Sequence, residues 1–547
     1  MATKRTRHHA EARSTVDWIF VIPKLALIGL AALPPLSAGA QGVDVSAPIG
    51  GGASGGIATG LAAGPHLNTW PRESYNLGFG LTIQGIASDN FNLAPSDSKV
   101  SGRAMELSPF VDGYLRTAQS RGDMSLRLRG LWYSSGGSSD SQSSPDVRAN
   151  GDLSISGDEL RFAGSAYVFR NSPSPFSASS IDPATRSADT ELYKAYAVSP
   201  YSLGRIGDSD YELRYRGQII DPGGSELKST SHQVSGGLTS RQGGASAWGW
   251  SAQASAARVT FEDDSDLTRD SGEVLAYYGV TPSLRLGAGV NYSRLDVFRN
   301  EDGENSGFGP TGFVSWRPGP RTLLTGKYAD TYYGSESSLR MVHRLPGWLF
   351  GAQYFKGLQT GTESGLLYFD PNAVFSLPEA AFDDSGRASV RGLADRRMFS
   401  RAGQPLSFGT TGSALVFDES LIASVGFVRP RNSILLSVFA NNQQPARSTL
   451  LSAMASELKQ RGASVSLNHR LAPDSSVFLI SQYAISESAN TNQEAHLTTF
   501  TGGWQFNLAR RTLLTTSARY SRQTSAGGAP SAQYAERAVI VAVEHRF

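Results

Sequence analysis

From Tyr75 onward, apolar residues fall on every second position. Tyr75, Leu77, Phe79, Leu81 and Ile83 alternate with Asn76, Gly78, Gly80, Thr82 and Gln84. Met124, Leu126, Leu128, Gly130 and Trp132 alternate with Ser125, Arg127 and Arg129, and Leu160 to Val168 repeats the pattern around Arg161. Tyr211 to Ile219 carries Arg214 and Arg216 on the polar parity, and Leu284 to Tyr292 carries Arg285 there. A period of two with one apolar parity is the mark of a strand wet on one face only. The alternating segments are about 9 to 12 residues long, the length a tilted strand needs to cross a bilayer.

The final segment has the same pattern. Val539, Val541, Val543, His545 and Phe547 share one parity. Taken as the end of the protein, this amphipathic strand is expected to close a barrel onto the first strand, since otherwise it leaves an open edge. A closing strand that ends on an aromatic is the expected insertion signature for the barrel-assembly machinery.

Connections alternate in size. Short ones are predicted at Thr117–Gly122, Ser156–Glu159, Pro200–Ser209, Ser240–Gly244, Thr281–Ser283, Arg317–Pro320, Pro346–Gly347, Arg429–Asn432, Ala472–Ser476 and Leu508–Arg511. Longer polar stretches are predicted at Ser134–Asp146, Asn171–Asp189, Glu262–Asp270, Asn300–Ser306 and Gln523–Gln533. Short periplasmic turns and long external loops are the outer-membrane arrangement. The expected fold is all-β: a transmembrane antiparallel up-and-down barrel of about 22 strands, range 18–24. Residues 357–412 form one long mixed connection, either a constriction inside the lumen or an external loop.

The N-terminus predicts export. Lys4, Arg5, Arg7, Arg13 and Lys24 precede an apolar run from Leu25 to Leu33, and Ala38-Gly39-Ala40 offers a cleavage site before Gln41. Residues 41–74 are then a Gly/Ala-rich periplasmic lead, too short for a folded plug domain. Mean hydropathy is only −0.25, and no later run is long enough for a membrane helix. The chain has 50 basic and 48 acidic residues; removal of the presequence leaves 45 and 46, so the pI near 8.6 is largely its doing. No nucleic-acid partner is expected from this balance. The expected surroundings are outer-membrane lipid.

On the polar parity, Arg127, Arg129, Arg161, Arg214, Arg216, Arg285, Lys327, Arg340 and Arg519 are the candidate basic lining of a lumen. Fewer acids share it (Asp112, Asp152, Glu212, Glu544), and the remainder is expected in loops such as Glu262–Asp266 and Glu301–Glu304. Such a lining either guides anions or holds the wall together by pairing. The eight histidines are scattered, no cysteine exists, and no metal-ligand or phosphate-loop spacing occurs, so neither catalysis nor a cofactor is expected.

Several motifs carry a resemblance. Ser88-Asp89-Asn90-Phe91-Asn92-Leu93, Ser108-Pro109-Phe110, Ser199-Pro200-Tyr201 with Tyr211 to Arg216, and Trp316-Arg317-Pro318-Gly319-Pro320-Arg321-Thr322-Leu323 with Tyr333-Gly334 and His343-Arg344 resemble the PEP-CTERM system-associated outer-membrane proteins, found with exosortase and exopolysaccharide genes. The resemblance spans residues 75–547. It implies a conduit or scaffold for exopolysaccharide export or surface assembly, with polysaccharide-export or exosortase-locus proteins as partners, and no catalytic residues. The alternatives are a diffusion porin for small anions and a structural or adhesive barrel with a closed lumen.

Overall fold

Each alternating segment becomes a strand. The computed structural model describes residues 74–547 apart from 118–119, 136–137, 157–158, 172–175, 179–190, 222, 224–227, 241–247, 263–265, 298–305, 320, 361–414, 446–456, 489–491 and 528–532. The expected cleavage site at Ala40 and Gln41, the lead, and most of the 357–412 connection lie outside the described residues.

The strands are β1 (Ser74–Ser88), β2 (Gly102–Arg116), β3 (Ser120–Ser135), β4 (Ser138–Ser156), β5 (Leu160–Asn171), β6 (Glu191–Ile206) and β7 (Ser209–Asp221). They continue as β8 (Ser229–Ser240), β9 (Trp248–Phe261), β10 (Asp266–Thr281), β11 (Leu284–Val297), β12 (Ser306–Gly319), β13 (Thr322–Thr331) and β14 (Gly334–Leu345). The last are β15 (Trp348–Thr360), β16 (Leu415–Val428), β17 (Asn432–Pro445), β18 (Leu458–Ala472), β19 (Ser475–Ser488), β20 (Gln493–Ala509), β21 (Thr512–Ala526) and β22 (Tyr534–Arg546). All 22 pair antiparallel with their sequence neighbours, and β22 pairs back onto β1, from Gly80 opposite Arg546 to Ser88 opposite Ala538. Every predicted short connection falls between two strands at the same end of the cylinder.

Some strands run further than the alternation indicated. Ser134–Asp146 is not a long loop: β3 and β4 continue to Ser135 and from Ser138. β6 runs through Pro200, β10 begins at Asp266 and β21 reaches Ala526. Polar residues replace apolar ones where a strand rises above the lipid, so the period disappears while backbone pairing persists.

The two faces have inverted polarity. Leu77, Phe79, Val274, Phe308 and Val541 are exposed on the outside, whereas Ser108, Asp418, Ser437 and Glu536 on the inner parity are fully buried. An apolar exterior over a polar interior belongs in lipid. Trp248, Trp250, Trp348 and Trp504 are exposed on the outer face close to the short-turn end, and Trp316 shares that face and end by register. Trp248 packs on Tyr278 and Trp348 on Phe427, with centroids 4.9 and 4.6 Å apart. This is an interfacial girdle. On β12, Phe308 and Trp316 are eight positions apart, or roughly 27 Å along a strand and ~20 Å across the bilayer once tilted. The chain is a closed all-β transmembrane barrel of the bacterial outer-membrane type.

Candidate functional site

The cylinder offers two places for function, its inner wall and its long-loop mouth. Both depend on the seam. Ser88-Asp89-Asn90-Phe91-Asn92-Leu93 turns back over that seam as β1 ends. Asp89 donates its backbone N–H to the Arg537 carbonyl at 3.1 Å, and its carboxylate accepts from the Arg537 N–H at 2.7 Å. Buried Asn90 donates to the carbonyls of Ala94 and Ala535 at 2.7 and 3.1 Å. Ser88 donates to Glu536, which also holds Arg519 at 3.1 and 3.2 Å. Phe91 tucks inward against Ile86, Leu131, Tyr133 and Ala538. The motif's position assigns it a structural task, joining the first strand to the last.

The nine candidate basic residues all lie on the inner parity. Arg129 meets Glu106 at 3.8 Å and Asp146 at 3.2 Å. Arg161 donates to Asp152 at 2.8 Å, and the Tyr201 hydroxyl donates to the same carboxylate. Arg214 donates to Glu212 at 2.7 Å and Ser199 at 3.2 Å, with its guanidinium 3.9 Å from the Tyr201 ring centroid. Lys327 meets Glu273 at 2.8 Å, a carboxylate that also accepts from Gln253 and Thr311. Arg519 is paired with Glu536. Arg127 lies 5.0 Å from the Phe110 ring, and Arg546 approaches the same ring at 5.4 Å. Arg216, Arg285 and Arg340 share the inner face by register, with Arg340 exposed there. The five ion-paired cations therefore sit in mixed-sign networks along the wall, each with its field partly cancelled by a neighbouring carboxylate.

Several partners in these networks escaped the sequence reading. Glu106, Asp146, Glu273 and Glu536 face inward, so acid is not confined to the loops. Asp146 lies in a stretch that reads as loop, and Glu273 and Glu536 precede the clear alternation of their strands. Their parity, carried back along each strand, was the available signal.

At the long-loop end the inner face turns apolar. Phe169, Tyr193, Ala195 and Ile220 form one cluster inside the rim. Another joins Val259, Phe261, Leu267 and Leu358, with Leu295, Tyr333 and Phe417 packed on it. Its members come from opposite parities. Leu267 shares the inner parity of Glu273, whereas Leu358 and its register partner Phe417 share the outer parity of Trp348 and Phe427. The rim of β15–β16 therefore lies on the lumen side of β9–β11, above the shorter β13–β14 hairpin. Arg269 fastens this overlap, donating to the Tyr333 hydroxyl and Glu336 at 2.7 Å each and to the Leu358 carbonyl at 3.3 Å. Tyr333 sits in the turn between β13 and β14, and burial pushes its hydroxyl up to about 12.

No family model and no curated protein matches the chain. Among solved structures it is similar to the siderophore receptor PirA from Pseudomonas aeruginosa, at 12% identity and TM-score 0.41, covering 87% of this chain and 81% of that one. The ferric enterobactin receptor PfeA from Pseudomonas aeruginosa has 11% identity and TM-score 0.44, covering 87% and 82%. The FrpB iron transporter from Neisseria meningitidis has 9% identity and TM-score 0.44, covering 86% and 81%. Likenesses this distant leave the function to be argued from the barrel's own wall.

Proposed function

We propose that the chain is an outer-membrane conduit or scaffold serving export of a surface polysaccharide, with a lumen suited to polar polymer rather than to small anions. The observation that carries this reading is the pairing of inner cations. Arg129, Arg161, Arg214, Lys327 and Arg519 each contact a wall carboxylate. A general anion pore works through cations left available to the permeating ion. The motifs that resemble the exopolysaccharide-associated family support the same setting. Two measurements test the reading. Deletion of the gene is expected to abolish or strongly reduce secreted polysaccharide while other outer-membrane proteins stay at normal levels; unchanged secretion refutes it. In planar bilayers, reversal potentials are expected to lie near zero in a salt gradient. Strong anion preference would instead favour the porin reading.

A further inference from the structure

The inner wall has two chemically different arcs. Charged networks occupy β2–β7, β10–β14 and β21–β22. Along β17–β20, among the described residues from Ser433 to Asn507, the inner parity carries one charged residue, Arg470, at the edge of the short-turn end. The remaining positions hold hydroxyls, amides, small residues, aliphatics and two phenylalanines.

These groups form rows. Ser424, Ser437, Ser464, Gln482, Thr499 and Ser521 face one another in register across β16–β21, and all six are buried. A second row runs through Ser420, Asn441, Gln460 and Ser486. Six strands make five gaps, so the first row extends for about 24 Å. Because barrel strands tilt from the axis, a row perpendicular to them climbs the lumen obliquely.

Several of these polar atoms lack a partner among the described residues: Oε1 of Gln482, Gln460 and Gln443, Oδ1 of Asn441 and Oγ1 of Thr499; the Gln443 amide nitrogen lies against the Asp418 carboxylate of β16. Gln443 is 1% exposed, and the other four residues are also buried. Buried amides and hydroxyls are normally satisfied, so a contiguous set of unpaired ones points to a ligand that both donates and accepts. Two aromatic rings complete the surface. A Cβ at Gly462 would come within 2.6 Å of the Phe439 ring, and one at Gly503 within 2.5 Å of Phe478. The glycines thus let both rings lie against the wall; Phe439 is buried there, and the partly exposed Phe478 ring is the one on which a sugar's C–H face can stack.

We infer that the inner face of β17–β20, extended by Ser424 and Ser521 on the flanking strands, is a recognition track for an uncharged, hydroxyl-rich chain, a neutral glycan. The nearest inner charges flank this arc, Asp418 on β16 and Arg519 on β21, both buried and Arg519 paired with Glu536, so a charged polymer would shed its water with little counter-charge in reach, a large penalty that a neutral glycan escapes. The inference rests on the reading of the lumen as a passage and names the class of chain it takes.

The test uses the full chain folded in detergent, with maltoheptaose, laminarihexaose and neutral dextran as probes and hexagalacturonate as the anionic comparator, read by isothermal titration and saturation-transfer NMR. At least one neutral glycan is expected to bind, about tenfold more weakly in the Gln443→Ala/Gln482→Ala double variant and unchanged in Arg216→Gln. If the double variant does not fold, as judged by heat-modifiable gel mobility, Thr499→Ala and Phe478→Leu are expected to weaken binding in its place. The track is overturned if no neutral glycan binds, if folded track variants bind as the native chain does, or if hexagalacturonate binds more tightly. Secretion lost on deletion, with no glycan bound, retires the track but not the proposed function. Binding with normal secretion does the reverse.

Discussion

Arg519 and Glu536 are the most deeply buried ion pair described, with side chains 3% and 0% exposed. Burying such a pair gives little net stability, but leaving one half without the other costs about 3–5 kcal/mol. Arg519→Ala is therefore expected to lower the urea midpoint of the folded barrel markedly. Changing both residues to Met and Gln is expected to restore most of it. If the single and double variants lose the same stability, the pairing argument fails. Tyr333 gives a pH prediction. Its raised pKa means that the neutral phenol's contribution is complete below pH 10 and is lost as pH rises through about 12. The overlap fastened by Arg269 and Glu336 should thus persist across the physiological range and loosen only in strong alkali. Absorbance of the phenolate at 295 nm checks this by difference from Tyr333→Phe; a transition near pH 10 would contradict the burial.

At the scale of elements, two features stand out. The Ser88–Leu93 turn secures the seam, and Asn90→Ala removes two donated bonds and one accepted from the Ala94 N–H at 3.0 Å. Unmade buried hydrogen bonds cost about 1–3 kcal/mol apiece. The variant should show a lower heat-modification temperature, while Asn92→Ala, whose bonds are exposed, should change little. The second feature is the rim overlap. Leu358→Asp puts a charge among Val259, Phe261 and Leu267 and is expected to release β15–β16 from β9–β11. Increased conductance, or new protease cleavage near Thr360, would register the release; neither change would argue against the overlap. Strand parity was legible in the sequence because alternation is a local property. Strand ends were not, because β4 and β10 continue above the membrane on polar residues, and there only the backbone ladder marks them.

For the whole molecule, the chain is one sheet closed on itself, and every function proposed above follows from what that closure places inside. Alternation along Leu77–Ile83 and Val539–Phe547 fixed the fold class, which face meets lipid, and the inner parity of all nine candidate basic residues. It did so because strand geometry points successive side chains to opposite sides whatever the rest of the chain does. Tertiary structure decided the remainder: that Glu106, Asp146, Glu273 and Glu536 pair with Arg129, Lys327 and Arg519, that six polar residues from six strands line up as a track, and that one rim passes inside another. Each of these depends on register and curvature between segments far apart in the chain, and a one-residue shift in any pairing would give a different partner while leaving the sequence pattern unchanged.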